Sequence, residues 1–148
     1  MICRKNQLSV DAAFLIGLAL ASVVGCSDGR PARVNVSGRV TIDGKPLTLG
    51  NVKFVPVGAR PSSGSINGEG QFTLGCYEDD DGVVTGLHQI QVSSYEVAGE
   101  KVKRHAPLKY ANYSTSEITF EVTAPTDSLV IELYADGRSA QVHDDAAK

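Results

Sequence analysis

Acidic side chains gather in one short run of the sequence, YEDDDG. Carboxylate oxygens are hard ligands of the kind that calcium prefers. The spacing is not that of a calcium loop, because the fifth and sixth positions counted from Asp79 are Val83 and Val84 instead of a ligand and a glycine. Adjacent carboxylates in an extended loop also point apart, so a solvated turn is favoured over a metal site. The weak candidate ligands are Glu78, Asp79, Asp80 and Asp81.

The segment 95–116 mixes basic and aromatic residues in an otherwise acidic chain. The sequence predicts a long loop here, and long loops in compact domains tend to be functional or disordered. The composition suits an anionic partner: an acidic glycan, a lipid headgroup or another protein. The alternative is a solvated crossover that Pro107 and Tyr110 pin to the domain. The candidate contact residues are Lys101, Lys103, Arg104, His105, Lys109, Tyr110 and Tyr113.

Recognisable catalytic motifs do not occur in the sequence. It contains no HExxH, no GxSxG, no CxxC and no phosphate-binding glycine loop. His88 shares an alternating apolar pattern with Ile90 and Val92, which predicts a hydrogen-bonded core histidine. His105 and His143 fall in the loop and near the C-terminal end. We therefore expect no catalytic residue, no cofactor and a protein that is not an enzyme.

The first 25 residues have the pattern of an export signal. Arg4 and Lys5 precede an apolar stretch from Ala12 to Val24, which at about 13 residues is shorter than the roughly 20 that span a bilayer. A charged start, a short apolar stretch and small residues at its end are typical of a segment that is removed on export. Residues 1–25 are therefore predicted to be a cleaved signal helix.

Val23-Val24-Gly25-Cys26 resembles the lipobox of bacterial lipoproteins, in which a small residue precedes the modified cysteine. The resemblance implies cleavage after Gly25 and attachment of diacylglycerol to Cys26, with residues 26–33 as the lipidated cysteine and a linker. Two or three acyl chains hold a protein on a membrane where one would not. Ser27 resembles the residue type that permits transfer to an outer membrane. We expect a protein of the bacterial cell envelope, at the outer membrane in preference to the inner one.

Charge and cysteine content fit that compartment. The formal net charge is −3, and loss of residues 1–25 makes the chain slightly more acidic. Such a chain lacks the basic footprint of nucleic-acid binding, so no nucleic-acid partner is expected. Acylation of Cys26 would leave Cys76 as a lone thiol, which by default is buried like a small apolar residue. Without lipidation, Cys26 and Cys76 could form a disulfide in an oxidising space.

Apolar and polar residues alternate through most of the remaining sequence. In VNVSGRVTI the residues Val34, Val36, Val40 and Ile42 share one face, as in a half-buried strand. NVKFVPV, GLHQIQV, EITFEV and SLVIEL show the same period, and SGSINGEGQFTL predicts a hairpin around Asn67-Gly68. The short strands and Gly- and Pro-rich turns predict an all-β fold, a β-sandwich of about seven strands, with a closed barrel as the alternative. Residues 135–148 are predicted to be a flexible tail.

Three of these stretches together resemble a known family: VSGRVTIDGKPLTLGNVKFVP, GSINGEGQFTL and GLHQIQV. The family is the carboxypeptidase regulatory-like domain, also described as transthyretin- or prealbumin-like. APLKYANYSTSEITFEV resembles the closing half of small bacterial lipoproteins built on this domain. The resemblance spans about residues 34–134 and implies an Ig-like or transthyretin-like sandwich there, with no active site. The matching positions are Gly38, Val40, Asp43, Gly44, Pro46, Val52, Phe54, Gly70, Phe72 and Gly86.

The sequence thus predicts a membrane-anchored envelope lipoprotein whose non-catalytic β-sandwich is an interaction or structural module. Its expected partners are the membrane, through Cys26, and an envelope protein or glycan. The alternative is a small ligand-binding protein that takes calcium or an anionic envelope glycan through the acidic turn or the basic loop.

Overall fold

The computed structural model describes residues 29–147. In it, strands form where apolar and polar residues alternate along the sequence. Residues 1–28, with the predicted signal peptide and Cys26, and residue 148 lie outside the described residues. In chain order the strands are β1 (Arg33–Val34), β2 (Val36–Ile42), β3 (Lys45–Pro46), β4 (Gly50–Pro56), β5 (Ser62–Ile66), β6 (Gln71–Thr73), β7 (Val83–Val84), β8 (Gly86–Ser93), β9 (Tyr95–Ala98), β10 (Lys101–Arg104), β11 (Ile118–Val122), β12 (Thr126–Leu133) and β13 (Gln141–Asp144). The helical segments of the described residues are a 3-10 turn at Leu108–Ala111, the four-residue α1 (Tyr113–Ser116) and a 3-10 turn at Asp145–Ala147.

Nine of these strands form two sheets. The first sheet has the order β11-β8-β4-β5 and is wholly antiparallel. The second has the order β13-β12-β2, and β3 and β6 pair with different parts of β2. Within it, β2 and β12 run parallel. The all-β sandwich that the sequence predicts is therefore confirmed. The strands are more numerous than the seven expected, because several are only two to four residues long.

The core lies between the two sheets and is built from the alternating apolar residues. Strand β8 shows the pattern clearly, since His88, Ile90 and Val92 are fully buried while Leu87 and Gln89 face solvent. Burying one such aliphatic side chain contributes about 1.5–3 kcal/mol to folding, so the inward faces supply most of the stability. Other fully or almost fully buried core residues are Val36, Val40, Val52, Phe54, Leu74, Ile118, Leu129, Ile131 and Leu133.

Gly38 lies where β2 and β12 approach most closely. The parallel register places it opposite Leu129, and a Cβ atom at Gly38 would lie 2.0 Å from the carbonyl oxygen of Leu129. No side chain fits in that space without moving the backbone. The close packing of β2 and β12 thus requires a glycine at position 38.

The predicted hairpin between β5 and β6 is formed only at its turn. The Oδ1 of Asn67 accepts hydrogen bonds from the N–H groups of Glu69 and Gln71, both at 2.9 Å. Beyond the turn the strands separate, since β5 pairs with β4 in the first sheet and β6 with β2 in the second. They nevertheless remain close at Gly64, where a Cβ would lie 2.1 Å from the carbonyl oxygen of Thr73, and a backbone bridge joins Ser63 to Gly75. The segment is therefore the place where the chain passes from one sheet to the other.

The register of the strands gives the domain two distinct ends. At the first end, which we call the N-terminal pole, β1 pairs with β7, Val36 lies opposite Thr126, and β8 begins opposite Val122. At the other end, which we call the hairpin pole, β8 ends and β9 follows directly. At about 3.3 Å per residue, the eight residues of β8 separate the poles by roughly 26 Å.

Two segments differ from the sequence-based expectation. Residues 95–116 are not a long loop, because β9 and β10 form a hairpin that is followed by the 3-10 turn and α1. Residues 135–147 are not a free tail, because β13 pairs with β12. In addition, the Ser128 hydroxyl donates to Asp144 at 3.0 Å, and Val142 packs against the core.

Candidate functional site

The hairpin of β9 and β10 is the most exposed regular structure in the described chain. All eight of its strand residues are exposed, and the two strands pair only with each other. Gly99, with φ +62°, is the first of the two residues that join them, and this is the usual place for glycine in a type II′ turn. A lone two-stranded hairpin is marginally stable in water, so its base must hold it in place.

The two faces of the hairpin differ in character. Val97 lies opposite Val102, and Tyr95 lies opposite Arg104. Because opposed residues share a face, three apolar side chains and one guanidinium project together from the domain. Tyr95, Val97 and Val102 are 55%, 63% and 53% exposed. We call this surface, formed by Tyr95, Val97, Val102 and Arg104, the contact face.

The opposite face carries charges that pair with one another. Glu96 lies opposite Lys103, and its carboxylate is 3.9 Å from the Lys103 ammonium and 3.0 Å from Nε2 of His105. Lys103 and His105, both predicted as contact residues, are therefore engaged with Glu96. Lys101 lies beside the turn, opposite Ala98.

The base of the hairpin is fixed to the sandwich. The Ser94 hydroxyl, in a nearly buried residue, donates to the carbonyl of Leu49 at 2.6 Å, and the N–H of His105 donates to the carbonyl of Ser94 at 3.0 Å. Ala106, the next residue but one after β10, is buried in the core. The hairpin thus projects from a rigid support.

Tyr110 lies outside any contact surface, in contrast to the sequence-based expectation. Its side chain is fully buried, and its hydroxyl donates to the carbonyl of Arg138 at 2.5 Å while accepting from the N–H of Tyr134 at 3.3 Å. It therefore pins the segment to the domain, as the alternative interpretation held. Lys109 is paired with Glu117 at 2.7 Å, and Tyr113 is 46% exposed.

The acidic turn is organised by Asp81. Its carboxylate accepts hydrogen bonds from the N–H of Cys76 at 2.5 Å and from that of Tyr77 at 3.2 Å, and it lies 3.2 Å from Nε of Arg33. Burial acts to raise the pKa of Asp81, but the backbone donors and the Arg33 charge outweigh burial and hold that pKa below its usual value. This carboxylate is thus committed to structure.

The other three acidic residues, Glu78, Asp79 and Asp80, are exposed. Within residues 29–147, no group of three or more histidine, cysteine or acidic residues is arranged to hold a metal ion. Glu78, Asp79 and Asp80 are thus the carboxylates of this turn that face solvent, and the choice between a solvated turn and a calcium site stays a prediction.

Beside the acidic turn lies an open groove of about 650 Å³. Hydroxyl, amide and carboxylate groups line most of it, from residues that include Asn51, Ser63, Ser65, Thr73 and Asp79. The ring of Tyr77 lies at one end, with the guanidinium carbons of Arg33 and Arg60 at 5.0 and 5.1 Å from its centroid.

His88 and Cys76 are core residues, as the sequence predicts. His88 is fully buried, and its Nε2 donates to the carbonyl of Val84 at 2.7 Å. Its Nδ1 has no hydrogen-bond partner in the described chain, and burial lowers the pKa of the ring. Cys76 is 6% exposed and is a free cysteine. Its Sγ lies 3.5 Å from the carbonyl oxygen of Arg60.

The sequence analysis missed the apolar half of the contact face. Tyr95, Val97 and Val102 were not among the candidate residues, although the alternation in YEVAGEKVKR across Gly99-Glu100 is a hairpin signal.

No family model, curated protein or solved structure matches this chain. The relation to the carboxypeptidase regulatory-like domain therefore stays a prediction. No helix among residues 29–147 is long and apolar enough to cross a membrane.

Proposed function

We propose that this protein is a lipid-anchored envelope protein whose β-sandwich acts as a non-catalytic contact module. The observation that carries the contact role is the β9–β10 hairpin, which presents three exposed apolar side chains and a cation from a rigid base. Soluble domains rarely gather exposed apolar side chains without a use for them. The lipobox-like Val23-Val24-Gly25-Cys26 supports the anchor, and the anchor is proposed for Cys26.

Intact mass of the protein from its native membrane fraction tests the anchor. We expect a chain that begins at residue 26, is heavier by at least a diacylglycerol, and is lost from the membrane in a Cys26→Ala variant. A Cys76→Ala variant is the matched control and should stay in the membrane fraction. An unmodified soluble chain, or one two mass units light from a Cys26–Cys76 disulfide, would contradict the anchor.

The second candidate is a small ligand-binding protein, and the polar groove beside the acidic turn favours it. A lining of hydroxyl, amide and carboxylate groups suits a sugar better than an apolar ligand. The ring of Tyr77 already contacts Arg33 and Arg60, so it does not offer an open face on which a sugar could stack. A ligand that binds only the folded state raises the melting temperature by mass action. A thermal-shift screen with calcium and envelope glycans, repeated on a Ser65→Tyr variant that obstructs the groove, tests it. An unchanged melting temperature with every ligand would rule this candidate out.

A further inference from the structure

Exposed apolar side chains are concentrated on the contact face. Among the described residues, seven large apolar side chains are strongly exposed, and three of them, Tyr95, Val97 and Val102, lie on this one surface. Scattered exposed apolar residues are normal, whereas a cluster on a projecting element marks a place where another molecule binds.

The unpaired charge on the contact face indicates the sign of the charge that the partner carries. Arg104 on the contact face forms no ion pair within the described chain, whereas on the opposite face, which also carries Lys101, Glu96 lies beside Lys103 and His105. The whole chain is acidic. An anionic group of a partner is therefore attracted at Arg104, where no acidic side chain of the described chain pairs with the guanidinium, and this favours docking on the contact face.

The position of the hairpin favours a partner other than the anchoring membrane. The chain reaches the sandwich at the N-terminal pole, where β1 pairs with β7, and the hairpin leaves from the opposite pole. Residues 27–32 reach at most roughly 20 Å when fully extended. A domain tethered through Cys26 with its N-terminal pole toward the bilayer presents the contact face on the far side.

The small size of the contact face points to a peptide segment as its occupant. Four side chains offer far less than the roughly 800 Å² that each partner contributes to a standard stable interface, so a second copy of this chain would not be held by it. The outer edges of β9 and β10 carry backbone groups that no other strand pairs with in the described chain. Such edges bind extended peptides through main-chain hydrogen bonds, with side chains adding selectivity.

We infer that the contact face docks an extended segment of another protein whose apolar residues and acidic residue stand at every second position, so that they share one side of the segment, on the side of the domain that faces away from the membrane. The apolar side chains would pack on Val97 and Val102, and a carboxylate would pair with Arg104. This inference rests on the proposed contact function, and its orientation rests on the proposed anchor.

Photo-crosslinking of the full-length protein in its own cells tests the inference. A photoreactive amino acid replaces Val97, and in a matched control it replaces Leu87, which is 59% exposed on the outer face of the first sheet. We expect an adduct at position 97 alone, and sequencing of the captured peptide should show acidic residues interspersed with apolar ones. An added Arg104→Glu substitution should reduce the adduct at least about tenfold, because facing like charges cost more than a factor of ten in affinity.

Four results would overturn the docking: an adduct with phospholipid, an adduct with a second copy of this chain, an adduct that Arg104→Glu leaves unchanged, or no adduct at position 97. An unchanged urea midpoint for Arg104→Glu shows that a lost adduct does not come from unfolding. The intact mass of the wild-type protein separates the two proposals. If an acidic peptide is captured at position 97 and the mass of the protein shows no lipid, the anchor and the orientation are overturned and the docking is supported. If the protein is lipidated and no peptide is captured, the docking alone is overturned.

Discussion

Asp81 shows how one carboxylate of an acidic run can be structural while its neighbours are solvated. Replacing Asp81 with Asn removes a charged acceptor of two backbone hydrogen bonds and the partner of Arg33. We expect a loss of about 1.5–3 kcal/mol in the free energy of unfolding at neutral pH, the range for hydrogen bonds to a charged group. Chemical denaturation measures it, and Asp79→Asn, which changes an exposed residue of the same turn, should stay within about 0.5 kcal/mol.

The Asp81 contribution also has a predictable pH dependence. The pKa of Asp81 is lower in the folded state than the ordinary 3.8, so the stabilisation is complete above that ordinary value and is lost as the pH falls through the folded pKa. The difference between the wild type and Asp81→Asn should therefore shrink in strongly acidic buffer. A difference that is constant across the acid range would contradict this account.

His88 gives a second pH-dependent term, of different origin. Its pKa is lowered from the ordinary 6.5 by burial, so the unfolded chain takes up a proton that the folded chain does not. The stabilisation is complete above about pH 6.5 and declines as the pH falls below that value. In His88→Phe the decline between about pH 7 and pH 5 should be weaker, because this variant lacks the buried imidazole. Equal slopes in wild type and His88→Phe would contradict the prediction.

Gly38 sets the spacing of β2 and β12 at the scale of the elements. A Cβ at this position would meet the carbonyl oxygen of Leu129, and a backbone atom cannot give way as the end of a flexible side chain can. We expect Gly38→Ala to lower the free energy of unfolding by at least about 2 kcal/mol, as in overpacked cores. Gly68→Ala is the matched control, since a Cβ there meets nothing within 4 Å. Similar urea midpoints for the two variants would show that the strands can separate at little cost.

The sequence analysis predicted the strands that have a buried face, and it missed the more exposed strands β9 and β13. GLHQIQV and EITFEV each place two or more apolar residues on the core side, and both stretches are strands in the structure. QVHD has one apolar residue, so the sequence analysis predicted a tail there. YEVA turns none of its residues inward, and its alternation across Gly99-Glu100 was overlooked, so that a loop was predicted. Pairing with β12, and with β10, determines these strands.

The candidate site was predicted in part for a related reason. The basic residues of the 95–116 segment are visible in the sequence, but which of them pair with Glu96 depends on the register of the hairpin. The burial of Tyr110 depends on Tyr134 and Arg138, which come from a different part of the chain. Such long-range contacts leave no local pattern.

The C-terminal strand β13 is expected to contribute to the free energy of unfolding of the whole domain. Deleting residues 141–148 removes the four residue pairs between β12 and β13 and uncovers Val130, which is 6% exposed. We expect a loss of about 2–4 kcal/mol in the free energy of unfolding, at roughly 1 kcal/mol for each lost hydrogen bond. Arg39→Ala, which breaks only the exposed ion pair with Asp145, should cost at most about 1 kcal/mol. A free tail would instead leave the unfolding curve unchanged on deletion.

The parallel pairing of β2 with β12 determines the order in which the sandwich can be completed. Val40 pairs with Ile131, so the second sheet joins the first long strand to the penultimate one, and the intervening chain must be in place before the pair forms. Contacts between residues so far apart in sequence form slowly. In a chain that is synthesised N-terminus first, β2 has one edge open until β12 has followed it. A pause after β11 would leave that edge exposed to other chains, so the chain is most prone to aggregate late in its synthesis.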